Sequence, residues 1–234
     1  MKHSVVLLVF AAALVAGCAN QDIQRKDGST TSRPFSLSNL AKSDVDMISE
    51  LTQREALRSI RLLAEKLYRR NPQEFRKVGL DSPESAAARI FEHLDKGKES
   101  PLALMNWQDN FGLAFQEGYN GDRVYAFMSA MTAMTLAAYD FKTAFYMTDS
   151  LNPQKLYNSA RNIEVAVWKL SNAKLANGNR ALVSNSLEGD VQNLSFEREF
   201  GKLIATQDLL ALIIEDRTSR SINRVVQGLV FLPI

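Results

Sequence analysis

Four dipeptides in this chain repeat one piece of helix-start chemistry: Asn71-Pro72, Ser82-Pro83, Ser100-Pro101 and Asn152-Pro153. Asn or Ser accepts hydrogen bonds from the first free amides of a helix. Pro at the next position gives up only an N–H that has no intrahelical partner. Four of the six prolines are used this way. Between these marks apolar residues recur at spacings of three and four, and no convincing strand pattern appears. The chain therefore reads as all-α, a single helical domain of about seven to nine helices over residues 44–234.

The first helix is expected from about Ser43 to Arg70, with Ala56, Leu57, Ile60, Leu63, Ala64 and Leu67 on one face. A short helix follows Pro72 and ends near Gly79. The next runs from Pro83 to about Leu94. Another starts at Pro101 and carries Leu102, Met105, Trp107, Phe111 and Phe115. After the loop Gly118-Tyr119-Asn120-Gly121-Asp122 comes a long helix, about 122–148. Val124 to Tyr139 holds no charge and is rich in Ala and Met. A helix that is apolar all round is a core helix or a membrane span. This one falls short of the roughly 20 residues a span needs, so it is expected to be the buried centre of the domain.

The helix after Pro153 is expected to end near Asn177. Leu156, Ala160, Ile163, Val167 and Leu170 form its packing seam, with Trp168 extending it. Residues 178–194 read as a long loop. Ser195 starts a helix to about Asp216, in which Leu209 to Ile214 should be deeply buried. A last helix, about Ser219 to Gln227, precedes the apolar tail 229–234. That tail reads as docked on the core, or as a partner-binding peptide.

The N-terminus has a different plan. Met1-Lys2-His3 is positive, and Ser4 to Ala16 is almost wholly apolar. A positive start, a short apolar run and small residues before a cut are the layout of a secretory signal. Val15-Ala16-Gly17-Cys18 resembles the lipobox of bacterial lipoproteins. The resemblance implies that residues 1–17 are removed as a signal peptide and that Cys18 carries the lipid. Several acyl chains, each buried methylene contributing about 0.8 kcal/mol, would hold the protein at a membrane. Asp directly after the lipidated Cys is what tends to retain such proteins in the inner membrane. Ala19 stands there instead, which implies the periplasmic face of the outer membrane, with the inner membrane as the alternative. Cys18 is the sole cysteine, so no disulfide can staple the fold. Residues 18–43 read as a tether, since Asp27 to Pro34 has too little apolar content to offset its ordering entropy.

Formal charge is +2 for the whole chain, which gives no argument for nucleic acid as a partner. One histidine, His93, follows the signal segment. That excludes a zinc site built on several His or Cys ligands, and no metal or other cofactor is expected. Catalysis by carboxylates needs only one or two residues. Lytic transglycosylases use a Glu commonly followed by Ser, and Glu84-Ser85 and Glu99-Ser100 are such pairs. The segment that accompanies the catalytic Glu in that family is missing, and both pairs read better as capping chemistry. Glu117 and Asp122 flank the glycine loop as further sugar or cation candidates, or as turn and cap residues.

Between Arg54 and Lys77 there are eight basic and three acidic residues. Arg54, Arg58, Arg61 and Arg69 are the candidate anion-binding residues there, suited to lipid headgroups or lipopolysaccharide phosphates. Arg217, Arg220 and Arg224 form a smaller row. The expected function is that of an outer-membrane-anchored periplasmic lipoprotein, a non-enzymatic interaction or assembly factor for an envelope complex. The alternatives are an enzyme or binding protein acting on peptidoglycan or another glycan, and a lipid-binding protein whose Met- and Ala-rich helix lines a cavity.

Overall fold

The computed structural model describes residues 23, 24, 28, 30, 31, 37–95, 102, 105–186, 189, 191 and 193–230; at 23, 24, 30, 31, 37, 38, 93, 95 and 221–230 it describes the backbone alone. The signal segment 1–17, Cys18, Glu99, the Ser100-Pro101 helix start and the tail at 231–234 lie outside the described residues, as does the side chain of His93.

The chain divides into two units, Met1–Ala41 and Lys42–Ile234. The first holds a minimal antiparallel ladder of β1 (Ile23–Gln24) and β2 (Thr30–Thr31), with Ile23 opposite Thr31 and Gln24 opposite Thr30. Between the strands Gly28 takes φ +79°, a conformation that only glycine adopts freely. One 3-10 segment, Leu37–Ala41, ends the unit.

The second unit is all-α. Among the described residues it has seven helices: α1 (Asp44–Arg70), α2 (Pro72–Arg76), α3 (Pro83–Asp95), α4 (Trp107–Phe115), α5 (Arg123–Ala138), α6 (Pro153–Asn172) and α7 (Ser195–Val230). α1 opens with a capping box, in which the Ser43 and Asp46 side chains each serve the other's backbone amide. Ser82 Oγ accepts the Ser85 amide at 3.1 Å, and Asn152 Oδ1 accepts that of Gln154 at 2.9 Å. Asn71 departs from the pattern and makes no side-chain cap to α2. Its Nδ2 donates instead to the carbonyls of Leu67 and Val183, both at 2.8 Å, and its Oδ1 accepts the Val183 amide. α4 begins at Trp107, capped by Asn106, so Met105 precedes the helix that was expected to carry it.

α5 is the buried centre. Every residue from Ala126 to Leu136 is buried. Its polar members fit because Ser129 and Thr132 return their hydroxyls to the carbonyls of Tyr125 and Met128 one turn back. The main core gathers around it from α1, α3, α6 and α7, with Phe91, Phe127, Met131, Ile163 and Phe200 among its members. A second, smaller core joins Ala138, Tyr139, Phe145, Leu151, Leu156, Leu210 and Ile214, with Val45 and Ile48 against it. It lies under the loop 139–152, at the end where α1 begins.

α5 stops at Ala138, ten residues before the expected Thr148. The stop is a Schellman turn: the Asp140 amide bonds to Ala137 O and the Phe141 amide to Leu136 O. Both residues have positive φ, +53° and +56°. Glycine usually marks this turn. Here Asp and Phe occupy it, so the sequence carries no sign of the break. Three other expectations are corrected. α6 ends at Asn172 rather than near Asn177. α7 runs unbroken through Thr218 and Ser219, where two helices were expected. Within Leu209–Ile214 only Leu210, Ala211 and Ile214 are buried, because consecutive helical residues turn by about 100° and cannot all face one side.

Candidate interaction surface

The four candidate arginines sit along one side of α1. Arg58 and Arg61 come together in a surface groove of about 300 Å³ shared with Ser59, Leu62, Glu65, Glu199 and Lys202. Arg58 pairs with Glu55 at 2.6 Å. The Arg61 guanidinium lies 4.5 Å over the Phe91 ring. Arg69, about 12 Å farther along the axis, bonds Glu84 at 2.7 Å and approaches Glu65 at 3.6 Å. Arg54 is exposed. The fold thus brings carboxylates from α1, α3 and α7 to this side, and the excess positive charge counted along the sequence is diluted in space. In the second row Arg217 bonds the buried Asp46 at 3.2 Å and Arg220 bonds Asp216 at 2.8 Å; the Arg224 side chain lies outside the described residues.

Among the described residues, the candidate carboxylates Glu84, Glu117 and Asp122 each hold structural hydrogen bonds. The hydrogen bond from Arg69, with one from its own backbone, holds the Glu84 carboxyl below its ordinary range. A general acid at neutral pH needs the opposite shift. Glu117 accepts the Ala176 amide at 2.9 Å. Asp122 caps α5 through the Tyr125 amide and accepts the Tyr68 hydroxyl, both at 2.8 Å. Beside it, buried Glu74 accepts the Arg123 amide and both of its oxygens take Lys77 at 2.8 Å. No group of three or more metal-ligating side chains occurs among the described residues.

The feature that sequence reasoning missed is the outer face of the α6–α7 pair. Tyr157, Val165 and Trp168 stand out from α6, and Leu209 and Leu212 from α7; Trp168 is 66% exposed and Leu212 61%. Trp168 follows the seam residue Val167 and is rotated about 100° out of the interface. That rotation was the signal available in the sequence. The pair is locked by Arg161, which stacks over Tyr157 at 4.9 Å and bonds Asp208 at 2.5 Å. Two grooves run between the helices. One of about 410 Å³ has Glu164, Trp168, Asn172, Glu197 and Gly201 on its walls. The other, about 580 Å³, lies among Pro153, Tyr157, Ala211, Leu212 and Glu215.

Comparison of the chain with protein-family models, with curated proteins and with solved structures finds no match. Among the described residues no helix is long and apolar enough to cross a membrane.

Proposed function

We propose that this protein is a lipoprotein held by Cys18 at the periplasmic face of the outer membrane, and that its helical unit is a non-enzymatic interaction or assembly factor for an envelope complex. The observation that carries the interaction reading is the exposed apolar face of Val165, Trp168, Leu209 and Leu212. Aromatic and aliphatic side chains left in water next to shallow grooves are the raw material of a protein-docking surface. The anchor reading rests on Val15-Ala16-Gly17-Cys18 alone.

A photo-crosslinking residue at Val165, in cells, tests the docking face. A discrete adduct with an envelope protein is expected there and not at Glu84 on the opposite chemistry of α3. Adducts at Glu84 alone would overturn the assignment. Cys18→Ala should abolish lipid labelling and release the protein from membranes; normal processing and retention would remove the anchor.

A second reading has one observation in its favour. Trp168 stands beside Glu164, Asn172 and Glu197, and an indole face flanked by carboxylates and an amide suits a sugar ring. A glycan-binding protein should show Trp168-dependent fluorescence quenching by soluble peptidoglycan fragments. The grooves described here lie on α1, α4, α6 and α7, so the lipid-cavity reading of α5 gains no support.

A further inference from the structure

The loop 139–152 combines features that stability alone does not explain. It is not slack. Phe145 is buried in the smaller core, its amide donates to Glu50 at 3.0 Å, and Gln53 donates to the Lys142 carbonyl at 2.7 Å. Yet this pinned loop holds Phe141, Tyr146 and Met147 out in solvent, at 37%, 40% and 57% exposure. Phe141 is also kept at φ +56°, where a non-glycine residue costs on the order of 1 kcal/mol or more. A rigid, strained turn that displays two aromatics and a methionine is built to present them.

Charge narrows what they are presented to. Lys142 pairs with Asp149 at 2.5 Å, Lys155 with Asp140 at 2.6 Å and Lys42 with Glu50 at 2.5 Å. Three lysines and three carboxylates cancel, so the surface offers apolar tips in a neutral, polar frame. That is the composition of an interfacial anchor, in which aromatic rings sit at headgroup level and lysine stems lie along apolar surface.

Position names the occupant. Lys42 is the first residue of the helical unit, and its ammonium lies 5.4 Å over the Tyr146 ring. The helical unit therefore begins beside this loop. Trp168 is fifteen residues along from Pro153, about 22 Å down the axis of α6, which leaves it clear of that starting point.

We propose that Phe141, Tyr146 and Met147 form a membrane-contact surface that seats the helical unit on the bilayer carrying its own lipid anchor. The proposal rests on the lipoprotein reading. It orients the domain, with the loop 139–152 on the lipid and the Trp168 end of α6 turned toward the periplasm. Because the frame is neutral, contact should occur on zwitterionic lipid and resist salt.

The test uses the lipidated mature protein reconstituted in phosphatidylcholine vesicles, with a polarity-sensitive fluorophore on Met147→Cys or, separately, on Val165→Cys. Met147 is exposed, so its replacement leaves the fold intact, and an acylated Cys18 offers no competing thiol. The label at 147 is expected to blue-shift and to be quenched more by shallow than by deep nitroxide lipids, as for groups buried at the headgroup boundary. Added salt should leave this unchanged, and the label at 165 should remain water-like. A water-like label at 147 on vesicle-bound protein overturns the proposal and spares the anchor, as does quenching at 165 in place of 147. Protein that stays off the vesicles and takes label at Cys18 overturns the anchor reading, and the proposal with it.

Discussion

The Tyr68 hydroxyl donates to Asp122 Oδ2 over 2.8 Å in the interior of the helical unit. One bond thus ties the last turn of α1 to the residue that caps α5. The other oxygen of Asp122 holds the Tyr125 amide, so both are used. Burial pushes the Asp122 carboxyl above its ordinary range, and burial with the neighbouring carboxylate pushes the Tyr68 phenol up as well.

Tyr68→Phe keeps the ring and its edge-on contact with Phe75 but removes the donor. A buried carboxylate oxygen then goes unsatisfied, at about 1.5–3 kcal/mol. Urea unfolding should show that loss in the midpoint without a change of slope.

The same pair predicts a pH effect whose sign can be worked out. In the folded chain burial raises the Asp122 carboxyl above the ordinary aspartate value of 3.8. Between that value and its own higher one, the folded state keeps a proton that the unfolded state has released. Its contribution to stability therefore declines as pH rises through that window. Asn also caps helices well and does not titrate. Plotted against pH from 4 upward, the stability of wild type relative to Asp122→Asn should fall and then level off. A flat difference would contradict the raised carboxyl.

Asn71 closes α1 and holds Val183, in the loop between α6 and α7, by two bonds. Asn71→Ala removes three hydrogen bonds at a site only 1% exposed, at a cost of about 3 kcal/mol. Amide exchange at Val183 should accelerate before that of α5, since the loop loses both bonds that Asn71 makes to Val183.

Core and surface should separate cleanly. Met131 is fully buried on α5, and Met131→Ala should cost about 2–5 kcal/mol through lost burial and the cavity left behind. Trp168→Ala, at an exposed site, should stay within about 0.5 kcal/mol while reducing any adduct formed from Val165. Melting temperatures of the two variants compare them directly.

Helix starts were legible because their signals are local. Ser43, Ser82, Asn152 and Pro residues act through atoms two or three positions away, and the uncharged run from Val124 predicted a buried helix whatever surrounded it. The candidate surface was less legible. Trp168, Leu209 and Leu212 are apolar residues on apolar-striped helices, and only the position of the partner helix decides which side of the stripe stays wet. The arginine side was legible in composition but not in charge, since Glu84 and Glu199 come to it from other helices, fifteen residues or more away in the chain.

What the amino-acid order determined by itself is the helical class, where most helices begin and the burial of α5, all governed by interactions within one or two turns. What tertiary structure decided is where helices stop, what Asn71 binds and which apolar residues face water. The Schellman turn at Asp140 and Phe141 forms without glycine because Phe145, Glu50 and Gln53 hold the following loop in place. A strained local conformation persists when distant contacts stabilise it by more than the strain, and distant contacts cannot be read from neighbours in sequence.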